Sequence, residues 1–263
     1  MRRKKIWLSA LFLGLLSLAA LAAPLLAPYD PNLLVGPFRA APTAQFLLGT
    51  DLIGRDVLSR LIYAARVSCG VALGAVTVSS LVGVSIGLLS GWLGGFVDSF
   101  LMRVTDVFMS FPDVMLLLVF LAVFGSGAGK MVLLLGLISW PATARVMRAA
   151  TINIRHEPYL VYASVSGYPS WRIAAFHILP NVAAPLAVNI TNAVASAVLA
   201  ESSLSFLGLG IMPPTASWGT MLSDGQSLSV LLDSPWIWLP PGLMILFTLL
   251  ALRSLSDGIA ESL

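Results

Sequence analysis

An all-α integral membrane protein with six transmembrane helices is the fold class this sequence predicts. Three observations point there. Of the 263 residues, 58% are hydrophobic and only 10% are charged, against about 25% charged in a soluble domain. The mean hydropathy is +0.92. Six apolar stretches, most with room for the roughly 20 residues that cross a bilayer, are separated by polar or Gly/Pro-rich connections. The net charge of +3 is small and localised, so it reads as an orientation signal and not as nucleic-acid binding. Cys69, the single cysteine, excludes an intrachain disulfide, and His156 and His177 are too few and too far apart for a Cys/His metal site. Membrane lipid is the one partner that composition alone implies.

Residues 1–28 carry the first span: a basic flank, MRRKK, then the apolar run Ile6–Ala27. LAALAAP within it also offers the small residues of a signal-peptide cleavage site. The run is long for such a segment, and no disulfide-rich domain follows. Residues 29–66 form a polar excursion expected outside the membrane. Gly49, Thr50, Asp51 and Gly54 mark a turn there. Val57, Leu58, Leu61 and Ile62 lie at i, i+1, i+4 and i+5, which predicts an interfacial amphipathic helix over 56–66.

Residues 67–263 are expected to form a five-helix core. The second span, Val67–Trp92, is rich in Gly, Ser, Ala and Val; small residues let helices approach closely where lipid supplies no hydrophobic drive. The third, Phe96–Phe124, carries Asp98, Arg103, Asp106 and Asp113. Charges in hydrocarbon are costly, so these are expected near the cytoplasmic side or against protein. Arg103 and Asp106 at i, i+3 are expected to pair on one helix face, as a structural ion pair or as part of a proton relay. Ser110, Phe111 and Pro112 predict a kink. Gly125–Lys130 (GSGAGK) imitates a phosphate-binding loop, but Phe124 and Met131 stand where that pattern needs Gly and Ser/Thr. The fourth span runs from Met131 to about Ala150, with an interruption expected at Trp140-Pro141. The fifth is Val182–Gly210, with Glu201 deep in apolar sequence. The sixth begins at Trp236. Trp218 and Trp238 fit an interfacial belt.

The connection over residues 151–181 is the longest polar insert of the C-terminal part. Arg145, Arg148, Arg155 and Arg172 lie in or beside it. Its middle has room for a short helix, a turn at Gly167 and a second helix start. Ten of the fifteen Arg and Lys residues fall on the side of this loop and the N-terminus, and five on the other. That predicts both termini in the cytoplasm.

Val161, Tyr162 and Ala163, then Gly167, then Leu179-Pro180 resemble the "EAA" loop signature of permease subunits of binding-protein-dependent ATP-binding-cassette importers. Ala163, Gly167 and Leu179-Pro180 match; Val161 and Tyr162 replace its Glu and first Ala. Leu48–Ser68, Gly94–Pro112, Ser139–Ala149, HILPN (His177–Asn181), Glu201–Leu222 and Pro241–Leu243 are similar to the second ("C"-type) permease of the peptide/nickel group. The Ser254–Gly258 ending departs from that group's pattern.

The resemblance implies a type I importer transmembrane domain in a bacterial inner membrane. It implies a heterodimer with a second permease, two cytoplasmic ATPase subunits that hold ATP with Mg, and an external binding protein. It implies no cofactor and no catalysis in this chain. Tyr159, Val161, Tyr162, Ala163, Gly167, Trp171 and Arg172 would form a coupling loop seated in an ATPase groove. Glu201, Ser203 and Ser205 would line the pathway, with packing by small residues around a paired Glu as the alternative. Peptides are the implied substrate, and nickel chelates the other choice in that group. An ion-coupled secondary transporter using Asp98, Arg103, Asp106 and Glu201 is the competing class, and no inverted repeat is evident in the sequence to favour it.

Overall fold

A computed structural model describes residues 2–261. The side chains expected to form the basic flank, Arg2, Arg3 and Lys4, lie outside the described set. The described residues are helical, with an irregular excursion over 27–56. The elements are α1 Arg2–Leu21, α2 Ala23–Leu26, α3 Val57–Leu93, α4 Gly95–Met109, α5 Asp113–Phe124, α6 Ala128–Ile154, α7 Pro158–Val165, α8 Ser170–Ile173, a π-helical turn Ala174–Ile178, α9 Leu179–Asn181, α10 Ala183–Phe206, α11 Trp218–Ser223, α12 Leu228–Asp233 and α13 Pro235–Ala260.

Helices α3, α6, α10 and α13 are each long and apolar enough to cross a membrane. Helices α4 and α5 together make a fifth span if the bent pair counts as one. The apolar part of α1, Lys5–Leu21, is shorter. Four or five spans therefore meet the test where six were expected.

The separate interfacial helix expected over 56–66 is instead the start of α3, which runs unbroken for 37 residues. Asp56 caps it, accepting from the Ser59 amide at 2.7 Å. Nothing between Arg66 and Ser68 breaks the helix, and Val57, Ala64 and Ala65 pack into the same core cluster as Ala72 and Val76. Burial of one continuous face overrides the apparent boundary.

α3 and α6 pack along a seam of glycines spaced four residues apart. A Cβ at Gly83 would sit 2.7 Å from the Trp140 carbonyl oxygen, and one at Gly87 would sit 2.6 Å from that of Ala144. One at Gly91 would sit 2.6 Å from Thr151 Cβ. The expectation that small residues serve close helix approach is met here. The interruption expected at Trp140-Pro141 is absent: both residues are buried inside α6. Pro141 removes one ladder bond, and packing against α3 holds the helix through it.

The predicted kink at Ser110–Pro112 is a break, with α4 and α5 at 79°. Phe111 precedes a proline, so the α conformation is disfavoured there, and Pro112 stands just before the new helix at its N-cap. Before α10, the π-helical turn Ala174–Ile178 lies just ahead of Pro180. Pro180 offers no N–H to the turn below it, and the wider turn accommodates that loss. The Asn181 side-chain amide donates to the His177 carbonyl at 2.7 Å.

Trp218 corrects another expectation. It is fully buried, and its backbone amide donates to Ser68 Oγ of α3 at 3.1 Å, so it belongs to the core and not to an interfacial belt. Trp238 is partly buried, and its indole donates to the Leu231 carbonyl at 3.2 Å.

Candidate functional site

The 158–173 connection folds as an elbow. Glu157 precedes α7, and Pro158 takes its first position, where a missing N–H costs nothing. α7 ends at Val165. Gly167 then adopts φ +79°, a region that residues with a Cβ rarely enter. The chain reverses, and α8 starts after Pro169. The expected order of helix, glycine turn and second helix is what forms.

The two faces of the elbow differ. Leu160, Ala163 and Ile173 are buried with Ile178 and Val182 against Met147 of α6, and Leu88 and Trp92 of α3 pack on this cluster. The outward side carries Tyr159, Val161, Tyr162 (74% exposed), Val165 (83%), Tyr168 and Trp171 (68%). Arg172 is exposed and lies over the Tyr168 ring, 4.9 Å from its centroid; that ring also stacks with His177. Exposed apolar and aromatic side chains are thus concentrated on one side of this short elbow. Ala163 was expected to face a partner's groove. It is 3% exposed and faces its own chain, because its spacing of three from Leu160 puts both on the inner side. Among the seven predicted coupling residues, the structure turns Tyr159, Val161, Tyr162, Trp171 and Arg172 outward, Ala163 inward, and sets Gly167 at the turn.

The intramembrane polar residues divide differently from the expectation. Arg103 and Asp106 do not pair. Asp106 is held by Arg145 of α6 at 2.5 Å, while Arg103 is exposed with no polar partner among the described residues. On one helix, i, i+3 neighbours compete with whatever the adjacent helix presents, and α6 presents an arginine. Asp98, assigned no partner from sequence, receives Arg148 in a two-pronged pair at 2.5 and 2.6 Å and a hydrogen bond from the Ser90 hydroxyl of α3.

Glu201 is fully buried. Ser205 Oγ donates to its Oε1 at 2.9 Å and Ser202 Oγ to its Oε2 at 3.3 Å. Ser205 Oγ also accepts from the Ile211 amide at 3.0 Å. Glu201 and Ser205 therefore fasten the chain after α10 back onto that helix. Of the three expected pathway residues, only Ser203 is exposed. An open apolar groove of about 400 Å³ runs along α3 and α10, lined by residues including Leu73, Thr77, Leu81 and Leu186.

A charged cluster where the 27–56 excursion enters α3 lay outside the sequence expectations. Asp51, Arg55 and Arg60 are nearly buried. Arg55 meets Asp51 at 2.6 Å, Arg60 approaches it at 3.4 Å, and Arg55 lies 4.0 Å from Asp224 after α11. Burial pushes the Asp224 carboxyl above the usual carboxylate range; the Arg60 and Arg55 charges oppose that and Asp51 adds to it. Trp236 of α13 donates to the Thr50 carbonyl at 3.3 Å, so this excursion is strapped to the C-terminal helices. The sequence held one signal for this: two acids and two arginines within Asp51–Arg60 of an otherwise charge-poor chain. Among the described residues, no group of His, Cys, Asp and Glu is arranged to hold a metal ion.

Comparison with known proteins gives consistent results. The family described as binding-protein-dependent transport system inner membrane component matches residues 83–263. The di/tripeptide transport system permease protein DppC of Pseudomonas aeruginosa (strain UCBPP-PA14) is 36% identical, over 96% of this chain and 85% of that protein. A provisionally named peptide permease protein of Brucella suis biovar 1 (strain 1330) is 38% identical over 93% of this chain and 81% of its own. A provisionally named peptide transport system permease protein of the same strain is 37% identical over 100% and 88%.

Proposed function

Because this chain belongs to the family of binding-protein-dependent transport system inner membrane components, we propose that it moves small peptides as one half of an ATP-driven importer. Its established place is that of a multi-pass inner-membrane permease component, a non-catalytic subunit. Relatives named for di/tripeptide and peptide transport support the substrate class.

The observation that carries the mechanism is the two-faced elbow of α7 and α8. Its inner face is welded to α3 and α6 through Leu160, Ala163 and Met147. Its outer face presents Tyr162, Val165 and Trp171 to the surroundings. A body docked on the outer face can push on the spans through the inner one. In this reading the body is a cytoplasmic ATPase subunit, one of two, with ATP and Mg bound there. A second, homologous permease completes the pathway, and an external binding protein delivers the peptide. Six spans follow if the 20-residue α1, about 30 Å long at 1.5 Å per residue, is counted with the five above. Both termini and the elbow then lie in the cytoplasm, and the 29–56 excursion lies outside.

The test is uptake of labelled dipeptide into proteoliposomes holding the permease pair, the ATPases and the binding protein. Uptake that requires ATP, and stops when Tyr162→Ala and Trp171→Ala are combined, is the expected result. Uptake of nickel chelate in place of peptide would change the substrate. Uptake driven by an ion gradient without the ATPases would overturn the reading.

A further inference from the structure

The base of the elbow is tied to the rest of the bundle by one charged contact that joins three helices. Asp98 lies in the first turn of α4. Arg148 lies on α6, six residues before that helix ends at Ile154, and α7 begins at Pro158. The Arg148 guanidinium grips both Asp98 oxygens, Nε to Oδ1 at 2.5 Å and Nη2 to Oδ2 at 2.6 Å. The fully buried Ser90 of α3 donates to the same Oδ1. A two-pronged pair fixes rotation as well as distance, which a single contact does not. The glycine seam already holds α3 to α6, and Gly91, next to Ser90, lies against Arg148 and Thr151. α4 has no such seam. Its other ionic link to α6, Asp106 to Arg145, is a single prong between half-exposed side chains and is weak by comparison. Arg155, where α6 ends, also reaches the Gly91 carbonyl at 3.4 Å.

Resting on the permease reading above, we propose that Arg148 and Asp98, with Ser90, are positioning residues that lock α3, α4 and α6 into one lever, so that a displacement of α7 is delivered to α4 and the bent α5 without slack. None of the three needs to touch ATP, peptide or the ATPase. Their work is to keep the cytoplasmic ends of three spans from shearing past one another when the elbow is pushed. Without the lock, α7 and α6 move while α4 lags, and ATP is hydrolysed with little transport.

The experiment uses the complete reconstituted complex with spin labels at Glu157→Cys, before α7, and Phe100→Cys, on the exposed side of α4, in a Cys69→Ser background. The distance between the labels is expected to be the same in the nucleotide-free and ATP-trapped states, and to shift between them once Asp98→Asn is added. In the unlabelled complex, Asp98→Asn should lower peptide moved per ATP hydrolysed by about tenfold, within the range that coupling between sites spans, while hydrolysis itself persists. Arg148→Lys keeps the charge and loses the fork, and should uncouple as well. A label distance that already changes with nucleotide in the otherwise unaltered protein would overturn the lever. So would full coupling in Asp98→Asn, or full coupling in Arg148→Lys. A complex that takes up no peptide with ATP before any of these changes would instead count against the permease reading.

Discussion

Gly167 offers the sharpest test of the elbow, because the structure separates the two ways a side chain there could do harm. Its φ is +79°, yet a Cβ at this position would meet no atom within 4 Å. Crowding therefore contributes nothing, and the whole cost of substitution is the left-handed backbone, roughly 1–2 kcal/mol for an ordinary L-residue. Asn enters that region more readily than other residues, and a β-branched residue less so. The expected order of activity is Gly, Asn, Ala, Val. A cost of 1–2 kcal/mol shifts the ratio of the native elbow to its alternatives about 5- to 30-fold, yet is only a fraction of a typical total stability of about 5–15 kcal/mol. Gly167→Val should therefore still fold, insert and reach ordinary abundance. Transport and substrate-stimulated ATP hydrolysis of the assembled complex should fall together, measured in proteoliposomes against membrane abundance by immunoblot. Full transport in Gly167→Val would show that the connection is only a tether. Equal losses for Gly167→Asn and Gly167→Val would show that the backbone argument is wrong.

Other outcomes follow from the same geometry. Ala163→Leu overfills the cluster formed with Leu160, Ile173 and Met147, and should cost about 1–3 kcal/mol and lower thermal stability in detergent. Tyr162→Ala, at an exposed site, should leave stability unchanged and weaken only binding to the ATPase. Gly87→Val drives a side chain into the Ala144 carbonyl and Met147, so α3 and α6 must part, and the melting temperature should drop by more than it does for Gly14→Val, whose Cβ meets nothing within 4 Å. Asp51→Ala takes the nearest carboxylate from two nearly buried arginines and should destabilise the protein by about 3–5 kcal/mol, read as loss of folded protein on denaturant titration. For sidedness, a cysteine at the exposed Ala44 should react with an impermeant maleimide from outside, and one at Asn153 only after permeabilisation; the reverse pattern would invert the topology.

Several features of the site were legible because a single residue dictates them locally. Gly167 between two helix-forming stretches fixes a turn. Pro112 after Ser110-Phe111 fixes the break between α4 and α5. Pro180 marks the irregular entry to α10. Other features were not legible, for equally physical reasons. The orientation of Ala163 depends on which side of α7 faces Met147, and an eight-residue helix with apolar side chains all round does not announce its buried face. Burial of Trp218 depends on Ser68 of a helix 150 residues away.

The amino-acid sequence alone puts this chain in a membrane. Too few charges exist to cover a water-facing surface, and unbroken apolar runs must be helical where no water can satisfy the backbone. It determined the polar elbow between spans and, through its motifs, the family. The partners of the charges, by contrast, depend on how the helices pack. Asp98, Asp106, Arg145 and Arg148 are each compatible in sequence with a neighbour on their own helix or with solvent. Each ion takes the strongest opposite charge within reach, and that reach is set by how α3, α4 and α6 pack. The glycine seam brings α3 and α6 close enough for Ser90 and Arg148 to meet on one carboxylate of α4, a contact that spans 50 residues of sequence.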